Sequence, residues 1–120
     1  MFVWNKVKIP FSILDVETAD KFDDHSKKMW GDLQEFEKGH TTDDGKLVGT
    51  RAILEECKIV KQFFDNMFGE GTSKKMFGSK NDISECVKAV KKLYTIRNQQ
   101  LKDHSKKVLE LQQIVTAKPD

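Results

Sequence analysis

Proline is almost missing from this chain: Pro10 and Pro119 are the only two in 120 residues, and glycine is held to seven. So few breakers exclude a low-complexity disordered chain, and also a sandwich of many short strands joined by tight turns. Arginine occurs only twice, at Arg51 and Arg97. Groove readout of bases relies on its planar fork, so sequence-specific nucleic-acid recognition is poorly provided for. Cysteine also occurs twice, which excludes a disulfide-dense scaffold and, with no second ligand pair nearby, a zinc motif. No apolar run approaches ~18 residues, so no membrane-spanning helix is expected. The first residues lack the basic, apolar and small-residue succession of a secretory signal. An intracellular protein with Cys57 and Cys86 reduced is the expectation.

What is present is charge. Charged residues make up 33% of the chain, above the ~25% average, against 38% hydrophobic. That balance suits one helical domain with long solvated faces. The net charge of +2 hides an asymmetry: residues 1–78 carry 12 basic and 14 acidic side chains, net −2, and residues 79–120 carry 9 and 5, net +4.

Along the chain, Val7, Ile9, Phe11 and Ile13 alternate with Lys8, Pro10 and Ser12, the period of a half-buried strand. Phe2-Val3-Trp4 followed by Asn5-Lys6 completes a hairpin within residues 1–14, with Pro10 confining its strand to an edge or ending it. Asp15 or Thr18 caps a first helix over residues 15–38, whose apolar side holds Ala19, Phe22, Met29, Trp30, Leu33 and Phe36. Gly39 to Lys46 reads as a polar turn. Its His40, Asp43 and Asp44 do not have the spacing of a calcium loop, and turn formation accounts for them better. Residues 47–68 form a second helix with so wide an apolar arc that it belongs at the core. The Glu55-Glu56 pair beside that arc reads as solvated.

The stretch Phe63 to Asp82 is a corner. Phe63, Phe64, Met67 and Phe68 load the end of the second helix, Gly69 ends it, Thr72 or Ser73 caps a short turn over 72–78, and Asp82 starts the last helix. A phosphate loop needs G-x-x-x-x-G-K-[ST] after a strand; here the glycines are wrongly spaced and a helix precedes them. From 82 to 116, Ile83, Val87, Val90, Tyr94, Arg97, Leu101, His104, Val108, Leu111 and Val115 step alternately by four and three. An unbroken helix of that span is about 50 Å long, whereas a compact domain of this size has a radius of gyration near ~14 Å. Either the helix breaks near Asn98-Gln99 or its distal half projects toward a partner. The fold class is therefore mainly α (α+β): a short hairpin on a bundle of three main helices, the last one long.

No catalytic, cofactor-binding or metal-binding set emerges. His25, His40 and His104 are scattered, and their serine neighbours point elsewhere on a helix. Lys88, Lys92, Lys102 and Lys106 are free to meet phosphate, yet Tyr94 and Phe77 make no stacking platform, and a lysine-rich face is commonly just solvated. A protein-interaction role remains, with Phe68, Met76, Phe77, Tyr94, Leu101, Val108 and Leu111 as candidate partner-binding residues and a homo-oligomer among the expected assemblies.

The segments VKIPFSILDVETADKF, FFDNMFGEGTSKKMFG and NDISECVKAVKKL carry a resemblance to small proteins encoded in the tail-gene region of bacteriophages and prophages of Gram-positive bacteria. It is most specific over Ile9–Phe22 and Phe63–Leu93. The resemblance implies a tail assembly chaperone in the cytoplasm of a bacterial host, holding a long helical tape-measure protein and bringing no cofactor, membrane or small-molecule substrate. Where that family often has Asn-Gly in the first turn, this chain has Asn5-Lys6. The alternatives are a phage-encoded inhibitor of a host defence protein and a lysine-rich nucleic-acid-binding protein.

Overall fold

A computed structural model describes residues 1–40 and 49–116. Two strands, β1 (Phe2–Trp4) and β2 (Val7–Ile9), are followed by α1 (Val16–His40), α2 (Gly49–Phe68), α3 (Thr72–Phe77) and α4 (Ile83–Thr116). The strands pair antiparallel with Phe2 opposite Ile9 and Trp4 opposite Val7. Asn5 and Lys6 both take positive φ, 46° and 67°, as a two-residue turn of the primed type requires. A lysine thus occupies a position where glycine is easier. Asn5 compensates by donating from Nδ2 to the Met76 carbonyl at 2.9 Å, which ties the turn to α3.

The extended strand expected through Ile13 is shorter than its alternation. β2 stops at Ile9, before Pro10, yet Phe11 and Ile13 remain buried. The segment keeps its inward side chains without ladder partners because α4 supplies the hydrogen bonds. Gln100 accepts from the Ile13 amide at 2.7 Å and donates to the Phe11 carbonyl at 2.9 Å. Asp15 then caps α1, accepting from the Thr18 amide and hydroxyl at 3.1 and 3.0 Å.

Helix α1 continues through Gly39 and His40, so the polar turn expected from Gly39 does not begin there. The rest of it, with Asp43 and Asp44, and the expected start of the second helix at Leu47 and Val48, lie outside the described residues. Helix α2 packs against α1, α3 and α4, the central place its apolar arc predicts. Phe64 sits at the centre of an aromatic cluster, with Phe2 stacked on it at 5.9 Å, Phe63 edge-on at 5.2 Å and Phe77 edge-on at 5.8 Å. The cap of α3 comes from α2: Asp65 accepts from the Ser73 amide at 2.8 Å and its hydroxyl at 3.1 Å, while Thr72 donates to the Gly69 carbonyl. Gly71, with φ 90°, provides the left-handed entry that residues with a Cβ resist. Asp82 caps α4 through the Ser84 amide at 2.9 Å.

Helix α4 is unbroken across Asn98-Gln99. Its first half is anchored: Cys86, Ala89 and Leu93 are buried, Lys92 donates to the Val3 carbonyl at 2.6 Å, and Gln100 is the last residue holding the body. Beyond it only Asp103 is half-buried and all other residues to Thr116 are exposed. The molecule is accordingly 73 × 31 × 20 Å with a radius of gyration of 18.7 Å, well above the ~14 Å of a compact chain.

Replacing Gln100 by Ala strands the half-buried Ile13 amide and Phe11 carbonyl. Urea unfolding of Gln100→Ala is expected to show a loss of about 1–3 kcal/mol, with faster amide exchange at Ile13. Unchanged stability and exchange would mean that the 10–14 segment is held by packing alone.

Candidate interaction surface

Among the described residues, two apolar features outside the core share the seam of α4. The first is a groove of about 410 Å³ between α1 and α4, walled by Met29, Trp30 and Leu33 on one side and Val87, Val90 and Tyr94 on the other, with Val60 of α2 as its floor. The two wall helices run antiparallel, since Phe22 meets Tyr94 edge-on at 5.0 Å while Met29 and Leu33 lie level with Val87 and Val90. Lys91 stands at the lip.

Trp30 lines this groove, and its position differs from the one periodicity predicts. Periodicity places it on the buried side of α1, yet it is 62% exposed while Met29 is buried. Consecutive helical residues point ~100° apart, so only one of the two can face α2. The signal was present in that adjacency: a tryptophan beside a core methionine stands at the edge of the apolar arc.

The second feature is the projecting half of α4. Leu101 and Val108 are 43% and 40% exposed, and Leu111, Ile114 and Val115 are 60%, 72% and 74% exposed. Isolated exposed leucines are ordinary on protein surfaces. Here they follow one another along a single helix, and no described residue covers them. Arg97 separates the two features. Its guanidinium lies 5.4 Å from the Phe22 ring centroid and 5.8 Å from that of Tyr94, close enough for a cation–π contribution.

Of the sequence-predicted residues, the structure brings Tyr94, Leu101, Val108 and Leu111 onto this seam. Met76 and Phe77 are core residues, 1% and 9% exposed, because the Asp65 cap folds α3 back under the hairpin. Phe68 is half-buried and stacked on Phe2 at 6.2 Å. Met76 and Phe77 are therefore enclosed in the globule, whereas Phe68 keeps part of its surface open. Among the lysines considered for phosphate, Lys92 is spent on Val3 and Lys88 lies 3.5 Å from Glu85.

Titratable groups add little chemistry. Among the described residues no three His, Cys, Asp or Glu side chains are placed to hold a metal ion, and no helix is long and apolar enough to cross a membrane. Cys57 and Cys86 are free thiols facing each other in the α2–α4 core. Burial raises both pKa values, that of Cys86 to about 12, so neither is a reactive thiolate. Glu56, read from sequence as solvated, is half-buried, and desolvation together with the charge of Glu37 raises its pKa.

A raised carboxyl pKa means that the folded state holds the proton more tightly than the unfolded chain does. Stability contributed by the protonated form is therefore complete below the ordinary carboxyl range and is lost as pH rises through the folded pKa. Glu56→Gln removes that penalty. Its melting temperature is expected to exceed that of the parent at pH 7, with the gain fading below about pH 4; a gain equal at both pH values would point to packing instead.

No curated protein and no solved structure matches the chain. A family model does, over residues 5–117, so that it takes in the hairpin turn, the glycine-marked corner and all of α4: the protein belongs to DUF6673, a family of unknown function.

Proposed function

We propose that this protein is a non-enzymatic interaction module that holds a helical protein client, in the manner of a phage tail assembly chaperone. The observation carrying this reading is the unbroken α4, whose seam runs from the groove onto a bare projecting rod. A second amphipathic helix laid along such a seam fills apolar positions spaced by three and four residues, the usual mode of helix recognition. Exposed apolar surface of this extent is costly to maintain and characteristically marks an interaction site. Each leucine or valine taken out of water on binding contributes roughly 1.5–3 kcal/mol if fully buried.

The client class rests on the shape and the resemblance together. A rod with an apolar seam and net positive charge suits a long helical protein that would otherwise aggregate, as a tape-measure protein would before the tube forms around it. An inhibitor of a host defence protein would use the same rod on a different target, and the flanking genes separate the two. A tail tube and a tape measure beside the gene support the chaperone, and host-takeover genes support the inhibitor.

The direct test is capture of a purified helical tape-measure fragment by the protein and by Leu101→Asp plus Leu111→Asp. The parent is expected to keep the fragment soluble. The double variant, altered only at exposed positions, is expected to lose at least tenfold in affinity, about 1.4 kcal/mol, with its circular dichroism unchanged. Equal capture by both would remove the rod from the binding surface.

A further inference from the structure

We infer that the groove of one copy is the seat for the projecting rod of a second copy, the two α4 helices running antiparallel about a twofold axis near Gln99-Gln100. This goes beyond the client-holding reading and does not require it. The seam of α4 has ten positions, five before the helix midpoint and five after. Ile83, Val87, Val90, Tyr94 and Arg97 belong to the anchored half, and Leu101, His104, Val108, Leu111 and Val115 to the rod. Laid antiparallel on themselves, the ten positions pair without remainder. Val115 of the second copy meets Ile83, Leu111 meets Val87, Val108 meets Val90, His104 meets Tyr94, and Leu101 meets Arg97.

Three observations favour a second copy over other occupants. The first is length: the anchored half and the rod are equal, because Gln100, the last tether to the body, lies at the midpoint of α4. The second is polarity at the interrupted layers. A parallel in-register pair sets Arg97 against Arg97 and His104 against His104. The antiparallel pair sets the imidazole beside the Tyr94 ring and leaves the guanidinium where it already lies, over Phe22 and Tyr94. Flanking the seam, Lys91 and Lys107 are the only charged residues, and antiparallel pairing keeps them on opposite sides of it. The third is area. A wholly exposed Leu or Val side chain offers on the order of 100 Å², so two rods pairing only with each other bury a few hundred Å² per copy. That falls short of the ~800 Å² per partner of a stable interface. Seating each rod in a groove with Trp30 as its outer wall counts every contact twice, as an isologous dimer does.

The test is site-specific cross-linking of the full chain. Val87→Cys and Leu111→Cys are made as separate proteins, then mixed under glutathione disulfide; the native thiols are buried, Cys57 at 0% and Cys86 at 1% exposure. Within one helix these two positions are about 36 Å apart, so any bond between them joins two molecules. The mixture is expected to give a covalent dimer that neither variant gives alone. Light scattering should report twice the 13.8 kDa chain mass, with Trp30→Asp weakening association at least tenfold at an exposed site that leaves the fold intact by circular dichroism. Self-linking of Leu111→Cys alone would demonstrate parallel pairing and overturn the inference. So would a monomer up to about 100 μM, a dimer without the mixed cross-link, or one indifferent to Trp30→Asp. Loss of self-pairing with tape-measure capture intact rejects this inference alone; the mixed cross-link without capture rejects the client-holding reading alone.

Discussion

The packing of aromatic rings around Phe64 sets the size of everything else. Phe2, Phe63, Phe68 and Phe77 all pack on that one ring, and Phe11 and Phe22 join through Phe68 and Phe63. Such rings supply a large apolar payload to a core built from few residues. Concentrating it at the corner of α2 and α3 makes a tight but short globule. The hairpin closes it from one side through Phe2 and Ile9, and α4 closes it from the other through Cys86, Ala89 and Leu93. Those α4 residues span two turns. A helix of 34 residues that is secured only as far as Gln100 overhangs the globule by its distal half.

The order and extent of the helices were legible because each apolar pattern has a single period and each boundary carries a residue with a local reason to be there. Asp15 and Asp82 cap through their own carboxylates, and Gly69 and Gly78 end helices with positive φ. What could not be read were the features made by residues far apart in sequence. Asp65 caps α3 from another helix, so Thr72 and Ser73, adequate caps on local grounds, are not needed as such. Phe11 and Ile13 keep the alternation of a strand because Gln100, 87 residues beyond Ile13, meets the backbone there. Met76 and Phe77 look like exposed turn hydrophobics until the Asp65 clamp folds them inward. Glu56 looks solvated until α1 brings Glu37 beside it.

The candidate interaction surface divides along the same line. Its rod was readable, since a seam with no intramolecular cover follows from helix length set against domain size. Its groove was not, because it needs two helices at a fixed distance and a tryptophan displaced from the core by the methionine before it. Ile114, 72% exposed, was also missed: it lies just off the heptad seam, and only the absence of neighbours makes it part of the surface.

Along a straight α4 the seam does not stay on one face. A stripe repeating every 3.5 residues drifts by ~20° per heptad on a straight helix of 3.6 residues per turn. From Val87 to Val115 four heptads accumulate about 80°, so the distal stripe turns partly away from the face that lines the groove. A partner helix can follow both halves only by winding around α4, and a left-handed wind removes the drift. Had the seam served only the protein's own body, nothing would have kept its register past Gln100, where contact with that body ends. The seam keeps its steps of four and three to Val115 with hydrophobic residues at four of the last five positions. Among the described residues no helix of the same molecule reaches that far, so the regular spacing of the rod is the feature on which the proposed pairing with a second helix draws.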